Sequence, residues 1–285
     1  PGITGVAHLF EHMMFKGTAT IGTRNIEQDL QLIAQLDQVK GEIGVEEAVL
    51  LEAYRLGQIE DPDDPAGRTP RHQELLDRFQ ALLDEQSDLI IKEDFSRIYS
   101  GQGASGMNAG TSYDYTIYFV NVPANKLELW FWMEADRLLN PVFREFYSER
   151  DVVHEERRMR TDSTPIGKYQ EQFNALFWQS SPYSWPIVGW PSDIEGITRA
   201  EALAFFDTYY APNNLTAALV GDFDPAEAKA LAERYFGRLE RGERPPVQPR
   251  TREMPQLSEK RMHAYAETNP QVEVRYHSVP DGHVD

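Results

Sequence analysis

Apolar residues recur at helical spacing over most of the chain and alternate over only a few short stretches. Val6, Leu9, Phe10, Met13, Met14 and Phe15 make Val6 to Phe15 the first helical stretch; Thr4 is placed to cap it and Gly17 to stop it. A second pattern begins near Arg24, with Ile26, Leu30, Ile33 and Leu36 at helical intervals, and runs on through "EEAVLLEAYRLGQI". "EDPDDPAGRTP" breaks it, and "RHQELLDRFQALLDEQSDLIIK" resumes it. The spacing predicts two long charged helices between about Asn25 and Lys92, forming an αα-hairpin that projects from the domain. Ile26, Leu30 and Ile33 form one narrow stripe and Leu75, Leu76, Phe79, Leu82 and Leu83 the other, which suits packing against each other better than full burial.

Beyond Phe95 the pattern changes. "GQGASGMNAGTS" is rich in glycine, "YTIYFVNV" alternates as a strand, and Pro123 ends it. "NKLELWFWMEADRLL", "SERDVVHEERRMRT" and "PIGKYQEQFNALFWQ" return to helical spacing. Thr198 caps "RAEALAFFDTYY", "NLTAALVGDF" is predicted to be a short core strand, and Asp224 with Glu227 caps "PAEAKALAERYFG". "ERGERPPVQPRTREMPQ" has a linker's composition, and "KRMHAYAETNPQVEVRYHSVP" begins to alternate like new strands. The expected class is α+β, an antiparallel-rich sheet with packed helices plus a helical hairpin insertion. The expected organisation is a domain over 1–240 with the hairpin inserted at about 35–97, a linker at 241–257, and the start of a second domain at 258–285.

Charge narrows the partners. With 28 Lys+Arg against 46 Asp+Glu the formal net charge is −18, which disfavours a nucleic-acid backbone or an anionic membrane surface. No run is apolar enough for a membrane span. The absence of cysteine removes disulfides and thiolate chemistry. The chain opens at "PGITG" without an initiator Met, so residues are expected to precede it and no leader can be judged.

Candidate chemistry lies in "HLFEH", residues 8–12. Positions i and i+4 share a helix face, so His8 and His12 can chelate one metal ion from a single turn, with Glu11 beside them. A catalytic zinc takes three protein ligands and keeps one position open, so a third ligand is needed from elsewhere. The order His-x-x-Glu-His is the inverzincin signature. The bland alternative is a surface helix with two solvated histidines; the apolar neighbours argue against it, because buried polar groups need partners.

"GVAHLFEHMMFKGT" resembles the active-site helix of the insulinase and pitrilysin family, which includes the β subunit of mitochondrial processing peptidase. In that family the third ligand is a glutamate on a second helix, seven residues after another functional glutamate. "ERDVVHEE" matches this pattern, and the resemblance assigns Glu156 as the ligand and Glu149 as a further catalytic acid beside Glu11. Seven residues are about two helical turns, so both carboxylates share a face, whereas Glu155 points roughly 100° away. His154 is a rival that the family pattern does not support. "MNAGTSYDYTIYFVNVP" resembles the family's Asn-Ala-x-Thr-Ser segment and edge strand, placing Asn108 and Ala109 beside the substrate backbone. "PYSWPIVGW" and "YYAPNNLTAALVGDFDP" resemble family segments whose role is architectural.

Two departures stand out. The interval from His12 to Glu156 is 144 residues, about twice that of the best-known members; the surplus coincides with the hairpin, and similar insertions occur in some bacterial members. The family's first strands and most of its second domain are also not found. The resemblance implies a zinc endopeptidase that hydrolyses peptide bonds with metal-activated water and Glu11 as general base. Its cofactor would be Zn2+, and its partners a peptide or protein substrate and a second half-domain or homologous subunit, without which this stretch alone would be inactive. Arg275 and Tyr276 carry no assigned role. The alternatives are a non-catalytic family subunit, or an interaction module centred on the hairpin. A bacterial periplasm or cell envelope is the favoured location.

Overall fold

The computed structural model describes residues 2–243, 246, 250–280 and 283–284, so part of the expected linker at 241–257 lies outside the described residues. In chain order the helices are α1 (Val6–Met13), α2 (Ile26–Arg55), α3 (Pro70–Leu89) and α4 (Asp94–Gly101). The strands β1 (Ser105–Thr111) and β2 (Thr116–Asn121) follow, then α5 (Leu127–Leu139), α6 (Phe146–Arg157), α7 (Gly167–Phe177), α8 (Pro191–Gly196), α9 (Arg199–Tyr209) and α10 (Pro225–Tyr235). The class is α+β: helices around one antiparallel pair, in register Asn108 to Phe119, Ala109 to Tyr118 and Thr111 to Thr116.

The core forms around α1. Phe10 is fully buried and meets the rings of Phe143, Phe205, Phe206 and Tyr210, with centroids 5.1–6.0 Å away. Leu9 and Met13 join the same cluster with Phe146 and Val153 of α6. The long helices stand where the spacing predicts, α2 capped by Asn25 and α3 by Thr69. They differ from a free-standing hairpin, however. Leu32, Leu36, Val39 and Ile43 of α2 and Leu75 and Leu82 of α3 belong to the central core, while Leu30, predicted to face α3, is 48% exposed. The base of the hairpin is therefore core; only its outer part, with Val45, Val49 and Leu56 exposed, projects.

A buried arginine ties this base to the end of α1. Arg144, with no exposed surface, pairs through Nε with Asp29 of α2 at 2.8 Å and donates to the carbonyls of Lys16, Thr18 and Ile21. Gly17, at φ 89°, cannot carry a Cβ, which would lie 2.2 Å from the Ile21 carbonyl.

The other end of α1 is pinned differently from the sequence expectation. Thr4 does not cap the helix: its hydroxyl bonds Asp193 at 2.6 Å and accepts from the Trp190 amide at 2.9 Å, holding α1 to the "PIVGW" loop, and Gly5 stands at the N-cap. Nor are 214–223 and 258–280 strands. Val220 is 98% exposed, and among the described residues no strand lies alongside either segment. Alternating sequence alone does not make a strand, because its backbone groups need a neighbouring ladder.

Candidate metal centre

Helix α1 presents His8 and His12 toward α6, which packs against it, and Glu11 toward β1. His8 is buried because Leu9, Phe10 and Met13 draw this helix into the core. From α6, Glu156 turns Oε2 to both histidines, 3.3 Å from His12 Nε2 and 3.7 Å from His8 Nε2. One ligand atom from each of His8, His12 and Glu156 lies within 4.8 Å of the others, and this is the cluster of that kind found among the described residues. Donors around a tetrahedral zinc with bonds near 2.0–2.1 Å stand about 3.3 Å apart, so modest closure would bring these three into a coordination shell. His8 supplies an independent sign of fit. Its Nδ1 is buried without a partner, and its Nε2 has only Glu156 beyond hydrogen-bond reach. Burial lowers the His8 pKa, against the pull of Glu156, which favours the neutral imidazole a metal requires.

The two rival ligands point elsewhere. Glu155 is exposed and pairs with Arg158 at 2.6 Å, and His154 faces Glu195 at 3.2 Å. Glu149 stands one layer behind the cluster. Its Oε2 is 3.4 Å from His12 Nδ1 and its Oε1 2.5 Å from Lys16 Nζ. Burial raises the Glu149 pKa, but His12 and Lys16 together outweigh it and hold the carboxylate below its usual range. The same bond raises the His12 pKa. Glu156 Oε1 meets Arg160 at 2.5 Å, in the wide turn Arg158–Asp162 that follows α6.

Asn108 and Ala109 lie mid-strand in β1, Asn108 exposed and Ala109 half-buried. The strand is joined to α1 by the Thr111 hydroxyl, 2.6 Å from Glu11 Oε2, and by Tyr118 on β2, whose hydroxyl reaches the Phe10 carbonyl at 3.3 Å. Sequence reasoning did not single out Lys16, Thr111 or Arg160. Thr111 sat inside a quoted motif, but nothing in the spacing showed that it would face Glu11.

This arrangement defines a class: an α+β domain with an inverted His-x-x-Glu-His helix crossed by a glutamate-bearing helix. A family model described as "Peptidase M16 inactive domain" matches residues 196–285, a span that does not include residues 8–12. Zinc protease PqqE of Helicobacter pylori is 36% identical over 134 residues, covering 46% of this chain and 30% of that protein. The chain thus spans about a third of the length of the curated relatives it matches. Among solved structures, a protease from Helicobacter pylori superposes with a TM-score of 0.62 at 23% identity over 89% of this chain and 45% of the other. The periplasmic protease PqqL from Escherichia coli gives 0.52 at 20% identity over 89% and 21%. Over these spans the chain resembles insulinase-type, or M16, zinc proteases.

Proposed function

We propose that this chain carries the zinc centre of a metalloendopeptidase, with His8, His12 and Glu156 as ligands and Glu11 as general base. The observation that carries the reading is the convergence of those three ligand atoms within 4.8 Å, with Glu11 on the same helical turn. The names of the relatives, zinc proteases, point the same way.

When bound, zinc supplies Lewis acidity toward a water and toward the scissile carbonyl. The protein's own part is proton transfer and positioning. Glu11 takes a proton from the attacking water and delivers it to the leaving amine as the C–N bond breaks. Glu149 orients His12 through Nδ1, which leaves Nε2 facing the cluster. The strand carrying Asn108 and Ala109 would hold an extended peptide by backbone pairing, which recognises an unfolded stretch more than a particular sequence. The completing partner is a second half-domain or a homologous subunit. An envelope location is favoured, in line with the periplasmic relative.

A second reading, a non-catalytic subunit, is suggested by the description of the family model over 196–285. The full-length protein separates the two. On the first reading Glu156→Gln loses most of its zinc, while Glu11→Gln retains zinc and no longer hydrolyses a fluorogenic peptide. Unchanged metal content in Glu156→Gln, or no hydrolysis by the wild-type protein with its zinc bound, supports the second.

A further inference from the structure

We infer that Thr111, backed by Thr116, is the positioning residue of Glu11; the inference rests on the zinc-peptidase reading above. Thr111 closes β1 and pairs in register with Thr116, which opens β2. Its Oγ1 is 2.6 Å from Glu11 Oε2 and 3.2 Å from Thr116 Oγ1. A hydroxyl has one proton to donate, and Thr111 donates it to Glu11 Oε2. The contact between the threonines therefore runs from Thr116 to Thr111.

Two consequences follow for the chemistry. A hydrogen bond from a hydroxyl to a carboxylate at this length is of the strong, charge-assisted kind, so the Glu11 carboxylate is held in one rotation. Its Oε2 is engaged, and among the described residues no hydrogen bond is made to Oε1. Oε1 is then the oxygen that receives the proton. The water O–H breaks and the Oε1–H bond forms while the water oxygen bonds the scissile carbonyl carbon. That proton then passes from Oε1 to the amine nitrogen as the peptide C–N bond breaks. The second consequence is mechanical. Thr111 lies two residues beyond Ala109 on the same strand, so a peptide that pairs with β1 also sets the position of the group that orients the base. Substrate engagement and base alignment share one element.

The test uses the full-length zinc-loaded protein. Thr111→Val keeps the shape of the side chain and removes the donor. Its kcat on a fluorogenic peptide is expected to fall roughly 10- to 100-fold, part of the ~10²–10⁴ that a positioned base contributes. KM should stay within about twofold and zinc content should be unchanged, because neither the ligands nor the strand pairing is touched. Thr111→Ser should restore most of the activity, and Thr116→Val should lower kcat less than Thr111→Val. A wild-type kcat in Thr111→Val, alongside an inactive Glu11→Gln, overturns the positioning role. So does loss of zinc in Thr111→Val, since Thr111 would then act on the metal site. Activity in Glu11→Gln instead overturns the zinc-peptidase reading itself. If Thr111→Val does not fold, Thr116→Val decides, and a kcat equal to wild type there overturns the relay.

Discussion

Glu149 shows how one side chain sets the state of its neighbours. It joins His12 Nδ1 to Lys16 Nζ, and both contacts depend on its charge. Glu149→Gln should weaken zinc binding by about 10- to 100-fold, the usual loss when the hydrogen-bond partner of a ligating histidine is removed, as measured by chelator competition. An unchanged affinity would show that His12 needs no such support. The residues of α1 were legible because i, i+4 spacing is local: His8, Glu11 and His12 declare themselves within one turn. Glu149 and Glu156 were not separable by spacing alone on a helix with six charged residues in Ser148–Arg157; the family resemblance singled them out, and the fold brings them to α1. Lys16, Thr111 and Arg144 were not legible, since each acts through contacts about a hundred or more residues away in the chain. Whether a polar residue meets its partner across such a distance is decided by packing, which no local pattern encodes.

At the scale of elements, the hairpin is the instructive case. Its helices and caps could be read from periodicity, but its two halves look alike in sequence and differ in burial. Ile43 is fully buried and Val45 66% exposed, two residues apart. The boundary can be placed where Thr69 bonds Glu46 at 2.7 Å and Arg71 pairs with Glu42 at 2.6 Å, which sets the two helices side by side just inside the exposed part. Replacing 47–68 with a short Gly/Ser linker should leave folding and zinc binding intact, because loop closure changes the free energy only slowly with length. Removing 26–89 should unfold the domain by opening the core around Leu36 and Leu75. Circular dichroism and metal content of the two deletions check this, and an unfolded short deletion would move the boundary outward. The opposite end of the hairpin, at its base, holds the buried Asp29–Arg144 pair. Arg144→Met should destabilise by about 3–5 kcal/mol in urea unfolding, since it leaves the buried Asp29 without its ion-pair partner, with only Gln86 still donating to it. Adding Asp29→Asn should recover part of that loss.

Across the whole molecule, the segment after the linker is held without forming strands. From Glu253 in the linker to His277, a few residues of this segment touch α7 and the residues just after it. Lys260 Nζ donates to the Leu176 and Phe177 carbonyls at 2.9 and 3.0 Å, His277 stacks on Phe177 at 4.2 Å, and Arg275 bonds Asn174 at 3.1 Å. Glu253 anchors the start of this clasp by accepting from the backbone amides of Gln179, Ser180 and Ser181 at 2.7, 2.9 and 2.7 Å. Partial burial pushes the Glu253 pKa up, but the three N–H donors outweigh it and bring it from 4.5 down to about 2. A carboxyl depressed on folding stabilises the folded state above its unfolded pKa, and that contribution fades as pH falls through the folded one. The clasp should therefore be at full strength above about pH 5 and weaken between 4.5 and about 2. In an NMR titration the amides of Gln179, Ser180 and Ser181 should shift together with a midpoint near 2, and Glu253→Gln should displace the same resonances already at neutral pH. The thermal stability gap between wild type and Glu253→Gln should be widest above pH 5 and close toward pH 2. A common midpoint near 4.5, or no gap at neutral pH, would mean that Glu253 does not hold the segment against α7 in solution.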